Sequence, residues 1–246
     1  KSYLGEFFLG LVHADVKCIM QLTQRAEAMG SGTTDYLPPG KGSLEQMKVG
    51  NTTIDVSISA VEDKKSYSRR KLQIEVKSEE ASKSGTFVVD HFHYRDWSEK
   101  DIPSMRDDIF EVAYVVFQSF TKVDKRLLVH CRDGLGRTGA FLLVQILLKK
   151  AFQKITLAWK LVLEEAKYVR FNRYNAIQKP SQLAFALYVA AGVIIKAVDA
   201  TTEDVLHFKA FSDVLMGAVA NEQPVVSATA VKNEQLVASA TAVKNE

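Results

Sequence analysis

The chain has 246 residues, 47% of them hydrophobic and 25% charged, with a formal net charge of +3 from 32 basic and 29 acidic side chains. That length suits one large domain or a domain with an appendage, and ordinary globular usage excludes a fibrous or wholly disordered chain. The near balance of charge argues against a dedicated nucleic-acid binder, which carries a concentrated basic excess. Two cysteines, Cys18 and Cys131, make no disulfide framework and fit no four-ligand zinc pattern, so a reducing compartment is the simplest setting. No basic, apolar, small-residue signal peptide opens the sequence. The longest apolar run, residues 183–195, is shorter than the ~20 residues a membrane helix needs and reads as a buried core helix.

In chain order, Phe7, Phe8, Leu11 and Val12 recur at helical spacing, which predicts a helix over residues 4–14. Residues 16–22 are short and apolar, as a buried strand is, and Cys18 is expected to pack there. Gly30, Gly32, Pro38, Pro39, Gly40 and Gly42 mark a long loop. Residues 52–60, 72–76 and 86–94 alternate polar and apolar side chains, the pattern of antiparallel strands in one sheet. Between the first two, Arg69-Arg70-Lys71 reads as a solvated turn that could attract acidic peptides. His91 and His93 alternate like a metal pair but lack further ligands, so structural roles are expected.

Beyond Pro103 the period becomes helical. Ser104 with Asp107 forms a cap for a helix reaching Phe120. A short apolar strand at 127–129 runs into a glycine-rich turn, and helices follow over 138–150, over 155–169 and from near Ser181. A sheet followed by grouped helices makes the class α/β (α+β). At the end, residues 221–232 (NEQPVVSATAVK) are nearly repeated by 233–244 (NEQLVASATAVK). Two copies are too few for a solenoid, which needs at least ~3. Residues 1–200 are therefore read as the domain and 201–246 as a low-complexity extension.

The informative stretch is His130-Cys131-Arg132-Asp133-Gly134-Leu135-Gly136-Arg137-Thr138-Gly139, between a strand and a helix. Glycines at 134 and 136 let successive N–H groups turn inward as an anion-binding nest, and the helix that follows adds its positive end. Arg137 can grip phosphate oxygens in bidentate fashion. Cys131 at the base of this cup is favoured as thiolate, and Thr138 offers a hydroxyl to it or to its leaving step. A thiolate below a bound phosphate is placed for in-line attack, giving a phospho-cysteine. A plain buried cysteine in a glycine turn would leave His130, Arg137 and Thr138 at fixed spacing unexplained.

His-Cys-x5-Arg-Thr-Gly resembles the signature of the cysteine-dependent protein tyrosine phosphatases. Further segments are similar to that family in its order. These are Glu6-Phe7-Phe8 to Gln21 (its helix and strand around Phe-Trp), Tyr36-Leu37-Pro38 (its Tyr-Trp-Pro) and residues 91–99 (the strand entering its Trp-Pro-Asp acid loop). Gln178-Lys179-Pro180-Ser181-Gln182 matches its Gln-x3-Gln water-positioning loop. The resemblance implies a twisted mixed sheet flanked by helices, lacking the family's N-terminal part and its phosphotyrosine-recognition loop. It implies Cys131 as nucleophile, Arg137 and the loop residues Arg132, Asp133, Gly134, Leu135 and Gly136 at the phosphate, and His130 tuning the thiolate. Glu99 would be the general acid beside Trp97, with Gln178 and Gln182 orienting water. No metal or organic cofactor is required.

The chain departs from that family at two of these positions. Glu99 in Trp97-Ser98-Glu99 stands where the family carries Asp after Trp-Pro, and it is one methylene longer. A misplacement of about 1 Å can cost on the order of 10²-fold in rate. Asp133 stands where active members usually have Ala; a carboxylate ~5 Å from the thiolate opposes it by up to about 3 kcal/mol at an effective dielectric near 20. Trp97-Ser98 and His-Cys-Arg-Asp-Gly together resemble the membrane-distal second domains of receptor-type phosphatases, many of which have little activity. Three functions follow. The first is an active phosphotyrosine-protein phosphatase, at a full or a reduced rate. The second is a pseudophosphatase-like module that binds phosphopeptides or a companion phosphatase domain. The third is a lipid phosphatase, disfavoured because Arg132 is the only basic loop residue before Arg137. A cytoplasmic location is expected, including the cytoplasmic part of a membrane receptor.

Overall fold

The computed structural model describes residues 2–24, 36–79, 84–99, 101–103, 107–122 and 125–198, with isolated positions 210 and 217. Ser104, Gly30, Gly32 and the near-repeat after 221 lie outside the described residues. The chain divides into two compact units, residues 1–99 with 103–134 and residues 100–102 with 135–246.

The first unit is a six-stranded sheet with two helices. Helix α1 (Ser2–His13) leads into β1 (Val16–Gln21), followed by β2 (Leu44–Val49), β3 (Thr52–Asp63), β4 (Tyr67–Lys77) and β5 (Gly85–Tyr94). Helix α2 (Asp107–Thr121) and strand β6 (Arg126–His130) complete it. The strand order is β2-β3-β4-β5-β1-β6. Strands β2 to β5 form an antiparallel meander, while β1 is parallel to both β5 and β6. Parallel neighbours need a crossover; α2, packed on β1, supplies it between β5 and β6. The mixed sheet flanked by helices agrees with the expected architecture.

Apolar residues at helical spacing in α1 meet alternating apolar residues of the sheet. Phe8 and Leu11 pack with Ile19, Met47, Ile54, Val56, Leu72 and Ile74 in one buried cluster. The helix comes so near β2 that a Cβ on Gly5 would lie 2.7 Å from Val49 Cγ2. The register aligns the C-terminal ends of the three parallel strands, with Gln21 of β1 beside His93 of β5 and His130 of β6. Ligands of sheets with parallel strands bind beyond such ends.

The sequence pattern did not expose β2, whose alternation is blurred by the exposed Leu44, nor the full length of β3 and β4, whose far ends are polar. Arg69-Arg70-Lys71 is a correction: these residues lie inside β4, not in a turn. Arg69 bonds Asp90 at 3.4 Å and lies 5.3 Å over the Phe92 ring. Cys18 is fully buried as expected, and burial pushes its thiol far up from the ordinary range, with Asp90 adding to the effect.

The second unit is helical. Helix α3 (Gly136–Phe152) packs on α4 (Trp159–Asn172) and α5 (Pro180–Val198). Lys150 and Glu165 join α3 to α4 at 3.0 Å. Helix α3 starts two residues before the apolar period does, because Gly136-Arg137 carries no hydrophobic signal. Helix α4 starts later than expected: Lys154 turns left-handed (φ +59°) and Ala158 is extended (φ −60°, ψ 147°), delaying the helix to Trp159. The window 180–197 of α5 is long and apolar enough, by length and composition, to cross a membrane, and 56% of it is buried inside the protein. That extends the run read from sequence, and the burial of Phe185, Leu187, Val189 and Val193 is that of a core helix.

Candidate functional site

In the first unit, β6 delivers His130 and Cys131 to the end of the parallel strands. The Leu22 N–H donates to the His130 carbonyl at 2.8 Å, which fixes that end. Cys131 is 7% exposed, while Arg132 and Asp133 are exposed, so Asp133 points outward. Of the two glycines read as forming the nest, Gly134 takes φ +68°, the left-handed region open to glycine, and Gly136 begins the helix that follows.

His130, next to the cysteine in sequence, belongs to a half-buried polar cluster. The Tyr36 hydroxyl is 2.8 Å from Nε2 of His91 and 2.8 Å from Nε2 of His130. It has a single proton, so it donates to one imidazole and accepts from the other. His130 Nδ1 lies 3.3 Å from the Cys131 carbonyl, which can only accept. His130 therefore carries its proton on Nδ1, Tyr36 donates to His130, and His91 donates from Nε2 to Tyr36. His91 Nδ1, then unprotonated, has no hydrogen-bond partner among the described residues. Burial lowers the pKa of both histidines from the ordinary imidazole value, well below it for His91, which keeps the pair neutral. His93 is likewise structural: its Nε2 donates to the Thr23 carbonyl at 2.7 Å.

The segment after β5 is anchored in three successive places. Trp97 is fully buried, Ser98 Oγ accepts from Gln24 Nε2 at 3.0 Å, and Glu99 Oε2 accepts from Arg132 Nη1 at 3.2 Å. The residue after the cysteine thus holds the carboxylate that the sequence singled out.

In the second unit, Leu135 is the N-cap of α3 and makes no side-chain cap. The opening amides of the helix have no intrahelical acceptor, so their donors are available to an anion. Arg137 is 2% exposed and Thr138 6%, both in the first turn. Gln178 and Gln182 converge on Gly136: a Cβ there would lie 2.7 Å from Gln178 Oε1 and 2.7 Å from Gln182 Nε2. The Gln178 N–H donates to Gln182 Oε1 at 2.9 Å. Gln182 Nε2 and Thr138 Oγ1 are buried without a hydrogen-bond partner among the described residues, and leaving such atoms unsatisfied is costly unless a ligand or water meets them.

Each unit therefore brings together part of the expected set: Cys131, His130, Arg132, Trp97 and Glu99 in one, Gly136, Arg137, Thr138, Gln178 and Gln182 in the other. Sequence reasoning missed the bridging hydroxyl of Tyr36 and the environment of Gln178. Arg170 Nη1 donates to the carbonyls of Ala176 (2.9 Å) and Ile177 (2.7 Å). Among the described residues no group of three or more His, Cys, Asp or Glu is placed to hold a metal.

A family model described as protein-tyrosine phosphatase matches residues 1–191. The human receptor-type tyrosine-protein phosphatase zeta is 23% identical over 223 residues, covering 88% of this chain and 9% of that protein. The mouse tyrosine-protein phosphatase non-receptor type 2 is 25% identical over 184 residues, 73% of this chain and 42% of that protein. The mouse receptor-type tyrosine-protein phosphatase N2 is 28% identical over 119 residues, 46% of this chain and 11% of that protein. The chain thus spans less than half the length of each of these relatives. The catalytic domain of human protein tyrosine phosphatase non-receptor type 18 superposes with a TM-score of 0.64 at 18% identity, covering 78% of this chain and 65% of that one.

Proposed function

The chain belongs to the protein-tyrosine phosphatase family, and on that premise we propose that it hydrolyses phosphotyrosine on proteins through a phospho-cysteine intermediate. The observation that carries the reading is Arg137, whose side chain is buried in the first turn of α3. A guanidinium in that first turn stands beside helix amides that have no intrahelical acceptor, and the two together make a grip suited to a phosphate dianion.

In the proposed first step the Cys131 thiolate attacks phosphorus. The S–P bond forms, the P–O bond to the tyrosyl oxygen breaks, and the Glu99 carboxyl passes its proton to the leaving phenolate. Arg137 and the amides of residues 132–137 hold the three equatorial oxygens where charge develops. In the second step water, oriented by Gln178 and Gln182, attacks phosphorus. The S–P bond breaks, Cys131 leaves as thiolate, and the water proton goes to Glu99. His130, kept neutral by burial and fixed by Tyr36, shapes the backbone around Cys131 and moves no proton.

Phosphotyrosine proteins are the proposed substrates. In support, a fold neighbour, the non-receptor type 18 phosphatase, has been solved with HER2 phosphopeptides. Residues 1–200 are assigned to the catalytic domain and 201–246 to an extension. Two free cysteines suit a cytoplasmic setting. The test is turnover of a phosphotyrosine peptide by purified protein with Cys131→Ser as the blank, beside a phosphoserine peptide and a phosphoinositide. Cys131-dependent turnover confined to phosphotyrosine supports the reading, and turnover of the phosphoinositide alone overturns it.

One observation favours a second reading, binding without appreciable turnover. Glu99, the substitute for the family's acid, is one methylene longer than the Asp that the family carries there. Tight phosphopeptide binding by the wild type without release of phosphate would select that reading.

A further inference from the structure

Ile177, immediately before Gln178, has φ +55°, and Asn175 has φ +60°. Asparagine tolerates the left-handed region, but isoleucine does not, because both branches at its Cβ crowd the backbone there. Such a conformation persists only where its surroundings impose it. Two groups of the second unit do so. Arg170, in the last turn of α4, donates from one Nη1 to the carbonyls of both Ala176 and Ile177, at 2.9 and 2.7 Å. Gly139 of α3 lets this segment approach so closely that a Cβ there would lie 2.8 Å from Ile177 N and 3.0 Å from the Ala176 Cβ. The next residue is Gln178, whose side chain reaches the first residue of α3 at Gly136.

We propose that Arg170 is the positioning residue for Gln178, holding residues 175–177 in a strained turn so that the glutamine side chains meet over Gly136. The inference rests on the reading of Gln178 as the residue that orients water. It adds that the turn does not hold itself. With the guanidinium removed, Ile177 relaxes towards negative φ and Gln178 leaves its place. Cys131, Arg137 and Glu99 belong to other segments, so attack on the substrate is spared while hydrolysis of the phospho-cysteine slows.

The experiment uses the full chain with Arg170→Met, which keeps the aliphatic stem, and Arg170→Lys, which keeps the charge. An aryl phosphate is followed by stopped flow through the burst and the steady state. For Arg170→Met the burst of phenol runs at the wild-type rate, kcat falls roughly 10- to 10²-fold, and KM falls with it so that kcat/KM is unchanged. Arg170→Lys recovers part of kcat. A parallel fall of kcat and kcat/KM, or no change in either, overturns the proposal. A second readout needs no turnover: amide hydrogen exchange rises over residues 176–178 and holds steady over 186–194. Unchanged exchange at 176–178 overturns the clamp itself, even in a protein that hydrolyses nothing. Absence of any Cys131-dependent turnover in the wild type, with the exchange change present, overturns the phosphatase reading and leaves the clamp standing.

Discussion

Arg132 and Glu99 form an ion pair, with guanidinium Nη1 3.2 Å from carboxylate Oε2, across 33 residues of sequence. Both side chains are partly exposed, 45% and 32%, so the pair adds no more than ~1 kcal/mol to stability. Its value lies in placement. Buried Trp97 and the Gln24–Ser98 bond fix the backbone before Glu99, and Arg132 fixes the carboxylate itself beside the residue that follows the proposed nucleophile.

The leaving-group dependence of the reaction checks this relationship. A phenol with a pKa of about 10 needs a proton as it departs, whereas a strongly acidic nitrophenol does not. Arg132→Ala is expected to slow the first kind of substrate by ~10-fold and the second by less than ~2-fold, with Glu99→Gln giving the same pattern at 10² or more. A plot of log kcat/KM against leaving-group pKa should therefore steepen in both variants. Identical slopes in wild type and Arg132→Ala would show that the pair does not serve the acid.

Asp133 is predicted to matter less than its sequence position suggests. At a buried site ~5 Å from the thiolate its charge would oppose catalysis by up to about 3 kcal/mol. The side chain is exposed, where water screening reduces the same pair to below ~1 kcal/mol. Asp133→Ala should raise kcat/KM by no more than about 4-fold, with the gain shrinking at high salt. A gain above 10²-fold would mean that the aspartate turns inward and silences the site.

The local part of the site was legible because its chemistry is written in contiguous residues. Strand, left-handed Gly134 and the start of α3 follow one another within residues 126–137. The parts that were not legible depend on residues far apart or on conformations that propensity argues against. Tyr36 meets His91 and His130 across 55 and 94 residues. Asn175 is at home in the left-handed region, but nothing announces that Ile177 takes it too, since Ile is among the worst residues for it. Strand β2 hid because its outer residues are polar or, at Leu44, exposed. Arg69-Arg70-Lys71 resembled a turn because its charges cluster, although pairing with Asp90 and stacking on Phe92 accommodate Arg69 within a strand.

The two glycines of α3 should respond differently to alanine. At Gly136 the new Cβ would press on the ends of Gln178 and Gln182, which can swing away. At Gly139 it would press on the Ile177 backbone N at 2.8 Å, inside the segment Arg170 holds. Gly136→Ala is expected to lower kcat with less than ~1 kcal/mol lost in urea unfolding, while Gly139→Ala loses ~1–3 kcal/mol as overpacked sites do. Equal stability losses would sink the distinction between side-chain ends and held backbone.

The buried histidines predict how stability depends on pH. Burial lowers His93 to about 4, with Arg70, Arg95 and His130 adding to the effect and the Thr23 carbonyl opposing it. His91 and His130 are lowered as well, first by burial. In the unfolded chain all three return to about 6.5. Between these limits the unfolded state binds more protons than the folded one, so unfolding free energy rises with pH across the window. The contribution is complete above about pH 6.5 and is lost as pH falls towards 4, on the order of 3 kcal/mol for His93 alone. Asp55, whose carboxyl is lowered by its bonds to Lys77 and Gln46, begins to lose its share only below the ordinary carboxylate range. Urea midpoints from pH 7.5 down to 4.5 therefore isolate the histidines, and the midpoint should drop steadily over that interval. His93→Gln keeps an N–H donor for the Thr23 carbonyl but cannot titrate, so its curve should be visibly flatter than that of the wild type. Parallel curves would place the pH dependence elsewhere in the protein.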